Sequence, residues 1–419
     1  MKKIVFSSLV ASSLVMGAGY KIPETSTNSV ALSGANIAHV NSAEAAYDNP
    51  ANMVFMENKN HMEANLIYIN TSPTKFKGTV GPSQLDTNAE EQNFLLPSLH
   101  YVSPSLGDSG ARVGVSVVVP GGLTREWKEG AAKTVSEEFT LQIVEVNPTA
   151  AFKVSDTLGV AVGFRIVHTS GVVKSDGVAL VGGGPNTVYR DMTGDALDFG
   201  YNLALAYKPT SNLELGLTYR SQVNLNVDGD AKLNTSYNPA PGLIPNSYNS
   251  TANVSVPLPA SLNAAIAYTL PSQTTVELVY EKTYWSGYET LDFDYDGTEG
   301  PVLGAIFGGA IPKNWKDTNA YRIGVTQAYD KATIMAGFVY DETAVPEETL
   351  NFESPGSASM SFSLGGRYKI DDNLDVGLSA LYSMKENRTI DATVNTNGID
   401  GEFTNSNVLI VSAGVGYKF

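Results

Sequence analysis

The chain has 419 residues, no cysteine, 42% hydrophobic residues and a formal net charge of −16. Without cysteine, neither disulfides nor thiolate-bound metals can stabilise it. The acidic balance excludes bulk electrostatic affinity for nucleic acid, and the excess carboxylates read as a solvated exterior and hydrated loops.

The first residues read as a targeting signal. Lys2 and Lys3 precede an apolar run from Ile4 to Met16, and the small residues Gly17, Ala18 and Gly19 follow. That order marks a secretory signal peptide over residues 1–17, too short to span a bilayer as a helix. Cleavage after Gly17 is preferred over cleavage after Ala18, and loss of the two signal lysines takes the charge from −16 to −18. No later stretch reaches the roughly 20 apolar residues of a membrane helix. A mean hydropathy of −0.08 suits a soluble protein, but equally a barrel whose strands alternate lipid-facing and lumen-facing side chains.

Next comes "AAYDNPANM" (45–53), small, polar and difficult to place in a sheet. Pro50 fixes its own φ and drives Asn49 out of helical space, while the Asn49 side chain can bond locally in a turn.

Beyond it the chain alternates with period two. Fourteen strands are expected near 61–70, 93–103, 112–119, 138–154, 157–172, 190–208, 213–229, 251–270, 274–294, 316–329, 332–342, 358–370, 373–389 and 403–419. Leu197, Phe199, Tyr201, Leu203, Leu205 and Tyr207 share one face opposite Asp198, Asn202 and Lys208. From Leu213 to Val227 the odd positions are read as one continuous apolar face, and Leu374 to Met384 repeats the pattern. Repeated Tyr near strand ends fits aromatic girdles around a lipid-facing band. Short links such as "KPTSN", "LPSQ", "YDKA" and "IDDN" alternate with long ones at 230–250, 295–315 and 389–403, the asymmetry of an outer-membrane barrel. The fold class is therefore all-β, a 14-stranded antiparallel transmembrane barrel in the bacterial outer membrane, with its last strand closing on its first.

Within the third strand, Val113, Val115, Val117 and Val119 run into Pro120, Gly121 and Gly122. Proline removes a ladder donor and glycine weakens pairing or permits a bulge. Either the wall opens at this kink or the strand ends there in a loop. Parity in "NWKDTNAYRIGV" sets Tyr321, Ile323 and Val325 outward, hence Lys316, Thr318, Ala320 and Arg322 inward; Arg220 is inward by the same rule. Segments 238–248 and 300–312 are unexpectedly apolar for outer loops, which marks either a binding surface or two loops packed on one another. Four histidines, His39, His61, His100 and His168, come without a serine-centred elbow, so a lipid hydrolase lacks its machinery. No ATP-binding glycine loop or other cofactor motif is visible.

Several collinear blocks carry a resemblance: "AGYKIPETSTNSVALSGANIAHVNSAEAAYDNPANM", "PGGLTREW", "LGLTYRSQVNLNVDGDA", "VPLPASLNAAIAY", "WKDTNAYRIGV", "FVYDETAVPEETLNFESP" and the terminal strand ending at Phe419. Together they resemble the FadL/OmpP1/TodX outer-membrane transporters of long-chain fatty acids and other hydrophobic compounds. The resemblance implies that residues 18–59 form a hatch plugging a barrel of residues 60–419, with Asn49, Pro50 and Ala51 inside the plug. It implies that Ala18, Gly19 and Tyr20 reach toward a lumen site and move when ligand binds, and that ligand leaves sideways at the kinked third strand. It suggests Lys316 as a ligand-contacting lysine and Lys174 as a second basic residue, beside Arg322 and Arg220, for a ligand carboxylate. The loop around 176–190 is short beside the helical insertions of relatives. The expected function is passive uptake of fatty acids or similar molecules, without enzymatic activity; an aromatic-hydrocarbon channel is the nearest alternative, and a general porin or surface adhesin follows. The partners expected are hydrophobic small molecules, outer-membrane lipids and, through the terminal aromatic, the barrel-assembly machinery, with the protein a monomer.

Overall fold

The computed structural model describes residues 19–419, so the signal segment and Ala18 lie outside the described residues. Fourteen antiparallel strands form one closed sheet. They are β1 (His61–Thr71), β2 (Gln92–Val102), β3 (Arg112–Glu126), β4 (Glu138–Lys153), β5 (Leu158–Val181), β6 (Gly184–Tyr207), β7 (Leu213–Arg220 and Val223–Thr235), β8 (Ser247–Leu258 and Ala260–Thr269), β9 (Thr274–Tyr284), β10 (Thr318–Ala328), β11 (Ala332–Asp341), β12 (Ser359–Lys369), β13 (Leu374–Lys385) and β14 (Val408–Lys418). Closure is made by β14 on β1, with His61 opposite Lys418 and Thr71 opposite Val408. Closing the sheet satisfies the backbone donors and acceptors that lipid cannot.

The alternation sorts side chains as the sequence implies. Leu197, Phe199, Tyr201 and Leu203 on β6 are exposed while Asn202, Ala204 and Ala206 are buried in the lumen. Leu378 and Tyr382 on β13 face out, opposite Ser379 and Ser383. So much exposed apolar surface around the whole girth would be an aggregation hazard in water and is a solvation surface in lipid.

One reading of that alternation is corrected. Leu217 faces outward, but Val223, Leu225 and Val227 are buried inside, because the strand breaks at Ser221 and Gln222 and resumes with its parity reversed. Above this level the wall is inverted: Asn224, Asn226 and Asp228 face water while apolar side chains line the interior. The barrel thus stands well above the bilayer, and its upper bore is an apolar vestibule. The expected loop at 176–190 is likewise a continuation of β5 and β6, joined by a two-residue turn at Gly182 and Gly183.

The long connections fold over the vestibule. Residues 75–80, 83–88, 399–404 and 388–390 form a small four-stranded sheet, and Phe76, Phe352, Phe403 and Trp127 pack beneath it with ring centroids 4.7–6.3 Å apart. The apolar 300–312 segment supplies a helix (Gly300–Phe307) that buries Leu303 and Phe307. Gly300 lies against Pro245 of the other apolar loop, so these segments pack on one another, although Leu243 remains exposed.

The N-terminal segment fills the lower bore. It contains α1 (Thr27–Ala31), α2 (Ala45–Asp48) and a 3-10 turn (Pro50–Phe55). Asn49 is extended (φ −150°), and its Oδ1 accepts from the Ala51 N–H at 3.2 Å while its amide donates to the carbonyls of Ile37 (2.9 Å) and Leu205 (3.2 Å). The Asn-Pro-Ala turn thereby caps its own 3-10 helix and ties it to the wall. Polar bonds fix the rest: Glu277 on β9 accepts the backbone N–H groups of Ile37 and Ala38 at 2.8 and 2.7 Å, and Asn65 on β1 accepts from Thr27.

Candidate functional site

The ladder between β2 and β3 is incomplete. It runs only from Val102 opposite Gly114 to Leu99 opposite Val117, although both strands continue for several residues more. On its other side β3 slips register against β4 between Val118 and Gly121. Pro120, Gly121 and Gly122 therefore lie inside a continuing strand, and the expected strand end at 119 is corrected to Glu126. Proline's missing donor and the register slip bend β3 away from β2. Phe94 and Leu96 of β2 and Val119 of β3 line the inner side of the break in one buried apolar group with Ile22, Val30 and Ile410.

The N-terminal strand end occupies that break. Ile22 N–H donates to the Pro120 carbonyl at 2.9 Å, and Gly122 N–H donates to the Tyr20 carbonyl at 2.7 Å, with Lys21 paired to Gly121 between them. Gly121 is required for this approach, since a Cβ there would lie 2.7 Å from the Tyr20 carbonyl oxygen. Tyr20 is enclosed by Trp285, Trp315 and Tyr288, with centroids at 4.8, 5.8 and 6.4 Å, and its hydroxyl donates to the Pro257 carbonyl. Gly19 has φ +72°, and a Cβ there would meet the Trp315 ring at 2.7 Å, so the chain can turn beneath this aromatic box only with glycine.

The cations expected in the lumen separate into distinct settings. Arg322 is buried, donating to Glu281 and to the Ser33 carbonyl at 2.8 Å each; Lys21 Nζ also contacts Glu281, so one barrel carboxylate joins the gate segment to Arg322. Arg220 donates to Glu145 at 3.2 Å and to the Tyr47 carbonyl at 2.5 Å, and lies 3.6 Å from the Tyr47 ring. Glu145 also binds Arg165 at 2.8 Å. Lys174, high on β5, pairs with Glu138 at 2.8 Å. Lys316 is exposed, while Lys313 and Trp315 beside it are buried; β10 begins only at Thr318, so strand parity does not fix the direction of Lys316. Lys313 pairs with Glu353 in the vestibule.

A cavity of about 60 Å³ lies between the gate segment and the wall, lined by Lys21, Ile22, Pro120, Arg220, Leu258 and Glu281, among others. Ligand sites for drug-sized molecules have roughly 300–1,000 Å³, so a long alkyl chain fits only if the segment moves. Within the segment, Glu24 is buried with its Oε2 unpartnered. Burial pushes its carboxyl above the usual range, against the opposing pull of Arg322. Burial, then the Glu44 charge, pushes Asp48 up in the same way.

Sequence reasoning missed the aromatic box and Glu281. Its one available signal was the siting of tryptophan: the chain has three, and Trp127, Trp285 and Trp315 all lie in or beside long connections, where a lipid girdle would not place them. His100 Nδ1 and Ser116 Oγ meet at 2.9 Å, but both side chains are buried under the N-terminal segment.

The family model for outer membrane protein transport proteins (OMPP1/FadL/TodX) matches residues 8–419. The chain belongs to the OMPP1/FadL/TodX family. It is 26% identical over 416 residues to the long-chain fatty acid transport protein of Escherichia coli O6:H1, covering 89% of each chain. It is 22% identical over 428 residues to outer membrane protein P1 of Haemophilus influenzae, covering 90% of this chain and 89% of that one. Among solved structures it matches a Pseudomonas aeruginosa FadL homologue with TM-score 0.82 at 20% identity, covering 96% of this chain and all of that one. The Pseudomonas putida toluene transporter TodX matches with TM-score 0.72 at 19% identity over 94% and 98% of the two chains. As a member of this OMPP1/FadL/TodX family, the protein is an outer-membrane β-barrel transporter of hydrophobic substrates.

Proposed function

We propose that the protein admits long-chain fatty acids or similar hydrophobic molecules by diffusion, that residues 19–25 form the gate of an N-terminal hatch, and that ligand leaves sideways between β2 and β3. The single observation that carries this reading is the coincidence of three features: the wall ladder stops, the adjoining strand is kinked, and the N-terminal segment pairs with that kink. A tail leaving a water-filled bore downward would remain in water, whereas one leaving through the wall enters lipid, the favoured direction for apolar surface. The apolar lining of the break by Phe94, Leu96 and Val119 supports the same route.

Restoring the ladder tests the route. Replacing Pro120 and Gly122 by Val, with Gly121 kept because a Cβ there would meet the Tyr20 carbonyl, should leave fatty-acid binding to the purified barrel intact while reducing cellular uptake about tenfold or more, the equivalent of ~1.4 kcal/mol on the exit barrier. Uptake equal to wild type from a folded, heat-modifiable barrel would sink the lateral route.

A further inference from the structure

Two buried carboxyls meet where the N-terminal segment leans on the wall. Glu44, just ahead of α2, and Glu63 on β1 are each 1% exposed, and their side chains lie within hydrogen-bonding reach of each other. Glu44 Oε1 accepts from Asn28 Nδ2 at 2.6 Å and from Ser42 Oγ at 2.7 Å, and Glu63 Oε1 accepts from Arg367 Nη1 at 3.0 Å. The Oε2 atom of each is buried without a donor. Arg367 on β12 also donates to Asp375 on β13 at 2.6 Å, so one guanidinium serves three carboxyls. Asp48 and, on β2, His100 also face Glu44; the His100 ring nitrogens meet Ser116 Oγ at 2.9 Å and the Thr25 carbonyl at 3.4 Å.

Two ionised carboxylates in contact in a buried site repel each other, and a buried oxygen without a donor is costly. One proton held between them removes the repulsion and supplies the donor that both orphaned oxygens lack. Glu44 belongs to the N-terminal segment and Glu63 to the wall, so that proton joins the two bodies. Its loss leaves like charges pressed together across their interface.

We propose that Glu44 and Glu63 share one proton and form a pH-sensitive latch that fastens the N-terminal segment to the barrel wall. The latch is closed at low pH and opens as pH rises through the point where the shared proton leaves, since only the fastened state offers that proton two oxygens. The test follows hydrogen exchange of residues 28–48 by mass spectrometry in the purified full-length barrel, with rates corrected for the intrinsic pH dependence of amide exchange. In wild type, protection of that stretch should fall tenfold or more as pH rises, and the fall should persist in Glu24→Gln. In Glu63→Gln, whose amide donates to Glu44 without a titrating proton, protection should stay level within twofold. Level protection in wild type, or an equal fall in Glu63→Gln, would overturn the latch, and loss of the fall in Glu24→Gln would assign it to the gate instead. Should Glu63→Gln not fold, Glu44→Gln makes the same comparison, and the infrared carbonyl band of a protonated carboxylic acid in wild type should fade over the pH range in which protection falls. Absence of that band, or its fading over a different range, would equally overturn the proposal.

Discussion

Truncating Tyr20 should unseat the gate. Its ring is 2% exposed and sits against two tryptophans and Tyr288, and its hydroxyl donates to the Pro257 carbonyl. Replacing a buried aromatic by alanine costs about 3–5 kcal/mol, and most of that loss falls on the seated state because the ring is anchored by the vestibule rather than by its own segment. At ~1.4 kcal/mol per factor of ten, Tyr20→Ala should raise the unseated population by roughly 10²- to 10³-fold. Tyr20→Phe, losing about 1 kcal/mol of hydrogen bond, should raise it only several-fold. Thr25→Cys provides the reporter, since Thr25 is 3% exposed, its hydroxyl is unpartnered and the chain has no other cysteine. Its labelling rate with a water-soluble maleimide should climb in the order Thr25→Cys alone, with Tyr20→Phe, with Tyr20→Ala. Rates within twofold of one another in barrels that all remain heat-modifiable would refute the idea that the aromatic box holds the gate.

Three other outcomes are expected. Glu145→Ala leaves Arg165 and Arg220 facing each other without their shared carboxylate, so it should cost about 3–5 kcal/mol, seen as a lower unfolding temperature in detergent; an unchanged temperature would contradict the role of that network. Lys316→Ala should change fatty-acid and methyl-ester binding by less than twofold, as its side chain is exposed and precedes β10; a selective loss for the acid would contradict this. Because burial raises the Glu24 carboxyl, its seated state binds the proton more tightly than its released state. Stability of the seated gate is then fully present below the ordinary carboxylate range and lost as pH rises through the raised value. Maleimide labelling of Thr25→Cys, corrected for thiolate ionisation, should increase over that rise and flatten in Glu24→Gln; equal slopes would rule out Glu24 as the source.

The membrane-level wall was legible because lipid enforces strict alternation, so Leu197 to Tyr207 and Leu374 to Met384 each report their own faces. Closure was read from the last strand meeting the first, as β14 does with β1. What misled was the assumption that a face, once assigned, persists. At Ser221 and Gln222 the outer solvent changes from lipid to water and the interior from polar to apolar, so the greasy side must turn inward; odd positions from Leu213 to Val227 that are apolar except for Ser221 conceal that reversal. Parity could not settle the direction of Lys316 for a related reason. Parity extends only as far as the strand, and β10 begins two residues later. At Pro120 to Gly122 the residues indicated broken pairing but not what fills it, because the Tyr20 and Ile22 backbone contacts are remote in sequence and carry no local pattern.

Mapping where a ligand touches the wall tests the lateral route most directly. A fatty acid with a photoreactive group near its tail, activated during uptake, should cross-link to Phe94, Leu96 and Val119 and to the Tyr20–Ile22 stretch beside them. Cross-links confined to the lower bore, around Val40, Ala45 and Met53, would mean that ligand passes straight through the plug toward the periplasm, and the sideways exit would have to be abandoned.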